Sequence, residues 1–99
     1  MAKKTVRVVA RITARPEKVE ELKILLGGLI ETTRREKGCV SYQLLQNKAD
    51  PTDFTFVEEW ESDAAIDSHF GTPHVHEALS KIPTLVAKEP DIRRYAIIR

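Results

Sequence analysis

The chain has 99 residues, 41% of them hydrophobic and 31% charged, which is the size and composition of one globular domain over residues 1–99. Sixteen Lys and Arg against 15 Asp and Glu leave a net charge of +1, so no nucleic-acid or anionic-membrane surface is expected. A single cysteine excludes an internal disulfide and a multi-cysteine metal site. No run of about 18 apolar residues could span a membrane, and the Met1–Thr5 start lacks the apolar stretch of a signal peptide, so the expected compartment is the cytosol.

Thr5 to Thr13 alternates with period two. Val6, Val8, Ala10 and Ile12 share one face, and Thr5, Arg7, Val9, Arg11 and Thr13 share the other, so a strand with one apolar and one mixed face is predicted. Pro16 then opens a helix at the first-turn position, with Glu17, Glu20 and Glu21 at its positive end. Its apolar stripe runs from Val19 through Leu22, Leu26 and Leu29 to Thr33, and Gly38 can close it. Arg15 stands where a capping side chain is usual, and Gly27-Gly28 interrupts the stripe, which calls for either a kink or a close approach of helix and sheet.

Cys39–Gln46 is the second strand, residues 47–53 are a turn by composition, and Phe54–Trp60 is the third strand, making a hairpin. Ser62 can cap a short helix from Asp63 to about Phe70. Thr72-Pro73 restarts a helix to about Ile82, Pro83 and Pro90 bound a loop, and Asp91–Ile98 is the last strand. The order β-α-β-β-α-β is the α+β, ferredoxin-like pattern: a four-stranded antiparallel sheet with helices on one face. Val9, Val57, Tyr95 and Ile97 would leave apolar groups on the uncovered face, which predicts a homodimer with the two sheets face to face.

The third strand carries the clearest chemical signal. Phe54, Phe56, Glu58 and Trp60 share one face, so Glu58 points among aromatics. A carboxylate there either finds a structural partner or has a raised pKa suited to a general base near neutral pH. Trp60 is a core residue or an aromatic wall for a planar ligand. His69 faces a cleft or solvent, and one or two histidines lining a ligand cleft would suit proton transfer. His74 and His76 do not share a helix face, and His69 and His74 are five apart across a helix break, so no metal site is expected. Cys39 has no neighbour that would activate it and reads as an inert thiol. Phosphate-cradling glycine loops, Gly-x-Ser-x-Gly elbows and the CxxC of metallochaperones are all missing. The acidic third strand, with Glu58, Glu59 and Glu61, is unlike that of RNA-recognition modules.

Several segments, in order, carry a resemblance: Val8-Val9-Ala10-Arg11-Ile12, Arg15-Pro16-Glu17, Glu36-Lys37-Gly38-Cys39-Val40-Ser41-Tyr42, Phe56-Val57-Glu58-Glu59-Trp60-Glu61-Ser62, Ala64-Ala65 to His69, and Thr72-Pro73-His74. Together they resemble the antibiotic biosynthesis monooxygenase domain, including its quinol-monooxygenase-like members. The resemblance implies a dimeric α/β barrel with a pocket between sheet and helices in each subunit. It also implies oxygenation of a planar quinol or polyphenol by O2 without flavin, haem or metal. It implies Trp60 as pocket wall, His69 or Glu58 handling the proton, and Phe56 and His74 as further substrate contacts. Some relatives degrade haem with an Asn, a Trp and a His; the first strand here has no asparagine, and Ala78 stands near where that histidine would align. An isomerase of a small phosphorylated metabolite related to autoinducer-2 is the alternative enzyme, and it needs a cationic anchor such as Arg11. A non-catalytic dimeric binding module is the third reading.

Overall fold

The computed structural model describes residues 4–99. Its elements are β1 (Val6–Thr13), a 3-10 turn (Pro16–Lys18), α1 (Val19–Gly27), α2 (Ile30–Arg34), β2 (Cys39–Gln46), β3 (Asp53–Trp60), α3 (Asp63–Phe70), α4 (Pro73–Lys81), a second 3-10 turn (Ile82–Thr84) and β4 (Asp91–Ala96). The expectation for the Met1–Thr5 start falls partly on residues 1–3, which lie outside the described residues. The strands are ordered β2-β3-β1-β4 and every pairing is antiparallel, the ferredoxin-like α+β arrangement expected from the element order. Asp53 belongs to β3 rather than to the turn, and β4 stops at Ala96, two residues short of the expected end.

Period two decides what is buried. Val8, Ala10 and Ile12 of β1 meet Phe54, Phe56, Glu58 and Trp60 of β3, all at most 5% exposed. Leu22 and Leu26 of α1, Ile66 of α3 and Ala78 of α4 close over this face. Burying each large side chain stabilises the fold by roughly 1.5–3 kcal/mol.

The long first helix breaks where the glycines fall. Gly28 N–H donates to the Ile24 carbonyl, but Leu29 N–H donates to Leu26, a tightening of the ladder before α2 begins. A Cβ on Gly27 would meet nothing within 4 Å, so the glycines serve the break and not a close approach. Gly38 is different. Its φ is +94°, and an added Cβ would stand 2.6 Å from Ala65 Cβ, so this turn into β2 packs on α3 as only glycine can. Ser62 caps α3, its hydroxyl accepting from Ala65 N–H at 3.1 Å.

The uncovered face of the sheet is mixed. Val9 and Val57 are half-buried, and Leu45 and Tyr95 are 48% and 46% exposed. Arg7–Glu59 at 3.5 Å, Arg11–Asp53 at 3.4 Å and Arg93–Asp91 at 2.8 Å lie among them. Among the described residues no helix is long and apolar enough to cross a membrane.

Candidate active site

A small cavity of about 40 Å³ opens between the sheet and the helices. That is room for roughly one water molecule. Ala10, Tyr42, Phe56 and Glu58 form its sheet side; Leu26 and Leu29, then His69 and Phe70, then Val75 and Ala78 cover it from the helices. Leu79 and Ile92, 40% and 41% exposed, stand at its rim.

Glu58 is the carboxyl on the sheet side, 5% exposed. One of its oxygens, Oε1, accepts a 2.8 Å hydrogen bond from Trp60 Nε1. Burial pushes its pKa up from 4.5 to about 7; the Trp60 hydrogen bond works against this and the charge of Glu36 adds to it. The strand pattern left a structural partner or a raised pKa open, and Glu58 combines the two: its partner, an indole N–H, carries no charge to hold it ionised.

His69 lines the cavity from the last turn of α3. Its ring packs on Trp60 with centroids 4.8 Å apart, on Phe70 at 5.3 Å and on Tyr42 at 5.8 Å. Its Nδ1 stands 2.7 Å from Glu36 Oε2, and His74 Nε2 stands 2.9 Å from the same oxygen. Burial pushes the His69 pKa down, opposed by its hydrogen bond to Glu36 and that carboxylate's charge, so the imidazole is poised as a neutral group. The Tyr42 phenol is driven upward by burial first and by Glu58 next, so it stays protonated. Cys39 is pushed up to about 11, by burial before any neighbouring charge, and is the inert thiol expected.

Glu36, His69 and His74 are all metal-ligand types, and their nearest ligand atoms lie within 4.8 Å of one another. Five residues of sequence separation do not keep the two histidines apart: across the break at Gly71-Thr72 their ring centroids lie 6.1 Å from one another, and both rings reach Glu36 Oε2. The atoms nonetheless stand at hydrogen-bond distances, whereas ligands around a tetrahedral zinc lie roughly 3.3 Å apart. An ion would have to break both hydrogen bonds to Glu36 Oε2.

Of the residues singled out in the sequence, Glu58, His69 and Phe56 meet at the cavity. Trp60 does not form its wall: it is 0% exposed and lies behind, holding Glu58 and backing His69. His74 is one layer farther out, against Glu36 and 3.3 Å from Thr33 Oγ1. Arg11 is not brought to the site. It lies exposed on the opposite face of the sheet, as the parity of β1 requires, and pairs with Asp53. Two residues of the site were missed. Tyr42 shares the inner face of β2 with Leu44, a signal that parity with Glu58 across the hairpin could have supplied. Glu36 sits in the turn after α2, where no periodicity marks it.

Residues 5–81 match the family model described as antibiotic biosynthesis monooxygenase. The chain belongs to the antibiotic biosynthesis monooxygenase family. A Synechocystis protein, sll1783, described as uncharacterized, is 40% identical over 90 residues, which are 91% of this chain and 61% of that protein. The present chain thus spans about three fifths of that relative's length. A Mycobacterium tuberculosis family relative named "Putative monooxygenase Rv0793" is 35% identical over 83 residues, 84% of this chain and 81% of its own. The solved structure of Rv0793 superposes with a TM-score of 0.91, covering 96% of each chain at 29% identity. A Bacillus subtilis family relative named "Putative monooxygenase YcnE" is 29% identical over 85 residues, 86% of this chain and 90% of its own. Family membership and these relatives support a monooxygenase-like function for the domain.

Proposed function

We propose that this protein is a cofactor-independent monooxygenase that oxidises a small quinol or polyphenolic aromatic with O2, as a cytosolic homodimer. The observation that carries this reading is Glu58: a carboxyl with its pKa lifted to about 7, on an aromatic cavity shared with His69. A phenol needs a base to become an electron-rich anion, and a group poised near neutral pH is suited to take that proton. The anion then reduces O2 itself. An electron pair from the ring forms a C–O bond to O2, and protonation gives a ring hydroperoxide. Loss of the ring C–H proton breaks the O–O bond, one oxygen leaving as water and the other staying as a carbonyl. The sum is quinol plus O2 to hydroxyquinone plus water, with O2 the only oxidant. Glu58 takes and returns the protons, His69 is a second acceptor, and Phe56 and Tyr42 pack on the ring. The cavity of about 40 Å³ is smaller than an aromatic ring. Substrate must therefore displace the rim at Leu79 and Ile92 as it enters and exclude water as it fills the space.

An isomerase of a phosphorylated metabolite needs a cationic anchor, and no Lys or Arg among the described residues lines the cavity. A passive binding module would have no reason to hold a titrating carboxyl in the cavity. The dimer reading is supported by Val9, Val57, Leu45 and Tyr95 on the uncovered sheet face. Light scattering is expected to give twice the 11.2 kDa chain mass, and 11.2 kDa at micromolar concentration would overturn it. The activity is tested by oxygen uptake with a panel of benzo- and naphthoquinols, without added flavin or metal. Enzyme-dependent uptake that is lost in Glu58→Gln is expected. Rates equal to autoxidation with every quinol would refute the reading.

A further inference from the structure

The hydrogen bonds of His69 continue away from the cavity. The His69 side chain is 5% exposed, Glu36 13% and His74 21%, so the set runs from the buried cavity wall outward. The three residues come from three elements: His69 from α3, Glu36 from the turn after α2, His74 from α4. The backbone holds each in place. Thr72 Oγ1 donates to the His69 carbonyl at 2.7 Å at the break between α3 and α4, and Cys39 N–H donates to the Glu36 carbonyl at 3.2 Å.

This arrangement decides which nitrogen of His69 carries its proton. Glu36 Oε2, as a carboxylate, only accepts, so at 2.7 Å it requires the hydrogen on Nδ1. Nε2 has no hydrogen-bond partner among the described residues. His69 itself lines the cavity, and with Nδ1 turned to Glu36 the ring nitrogen left for the cavity is Nε2. Glu36 and His74 bear on this ring electrostatically, Tyr42 packs on it at 5.8 Å, Glu58 lines the same cavity, and Thr33 Oγ1 stands 3.3 Å from His74.

We propose that Glu36 is a positioning residue that locks His69 in the Nδ1–H tautomer and so presents a bare Nε2 to the cavity as a proton acceptor, with His74 buttressing the carboxylate. The cavity then offers two acceptors, Glu58 and His69 Nε2. That suits a substrate with two hydroxyl donors and leaves no cation to hold an anionic group. The substrate side of this inference rests on the monooxygenase reading above; the tautomer does not.

The test is long-range 1H–15N correlation of the histidine rings on the intact protein, with the amide spectrum as folding control. In the wild type, His69 is expected as the neutral Nδ1–H form at pH 8. In Glu36→Ala, with no acceptor, it is expected to revert largely to the Nε2–H form that free imidazole side chains prefer. Glu36→Gln keeps an acceptor and removes the charge, so the tautomer is expected to persist while His69 protonates at lower pH than in the wild type. An Nε2–H ring in the wild type, or a tautomer unchanged in folded Glu36→Ala, overturns the proposal. If Glu36→Ala does not fold, Glu36→Gln decides: an unmoved His69 titration overturns it. With a turned-over quinol, Glu36→Ala is expected to lower kcat at least about tenfold with little change in KM. Absence of turnover with any quinol counts against the monooxygenase reading, and the ring spectra still decide this one.

Discussion

Glu58 and Glu59 are neighbours on one strand and live in different chemistry. Glu59 points to the uncovered face, accepts from Thr5 Oγ1 at 2.7 Å and lies 3.5 Å from Arg7. Glu58 points inward, is 5% exposed, and meets an indole N–H and aromatic rings. The two faces of the sheet differ in the same way. Outside, carboxylates are matched by arginines in water-accessible pairs worth little each. Inside, no cation among the described residues answers Glu58, so its charge is suppressed. A pleat that alternates every residue places a solvated ion pair and a poised acid one residue apart.

The largest expected effect removes the support that joins the layers. Gly38→Ala puts a Cβ against Ala65 at 2.6 Å and at φ +94°, so a loss of about 2–4 kcal/mol is expected in denaturant unfolding.

Glu58→Gln tests the inner face next. The folded pKa of Glu58 is raised, to about 7 from 4.5. Its favourable contribution is therefore complete below the unfolded value and is lost as pH rises through about 7. The amide variant has no such loss. Its stability relative to wild type should improve by about 2–3 kcal/mol between pH 5 and pH 8 in urea titrations. Oxygenation should fall about 100-fold or more in the same variant.

Trp60→Phe removes the N–H that holds the Glu58 pKa down. The rising limb of the pH–rate profile should move to higher pH, and melting should report a loss of about 1–3 kcal/mol. The smallest effects belong to the outer face. Glu59→Gln and Arg11→Ala should each change stability by less than about 0.5–1 kcal/mol. A many-fold rise in KM for Arg11→Ala would show that the outer face contributes to a substrate site after all.

The pattern of the chain determined a good deal by itself. Strand parity put Phe54, Phe56, Glu58 and Trp60 on one buried face, because side chains of a pleated strand alternate regardless of what covers them. Prolines and glycines marked the breaks at residues 27–28 and 71–73, since φ restriction and missing side chains act locally. The inward turn of Glu58 was legible for the same reason. Which residue reaches the cavity was not. Trp60 has the right parity but is withdrawn behind its neighbours, and Arg11 is excluded because parity sends it to the other face. The pairing of Glu36 with His69 and His74 spans 33 and 38 residues of chain and joins a turn to two helices. No periodicity encodes such a meeting. It exists only once the sheet, α3 and α4 have packed, because packing brings the groups within 3 Å and also removes the water around His69, whose pKa burial then lowers.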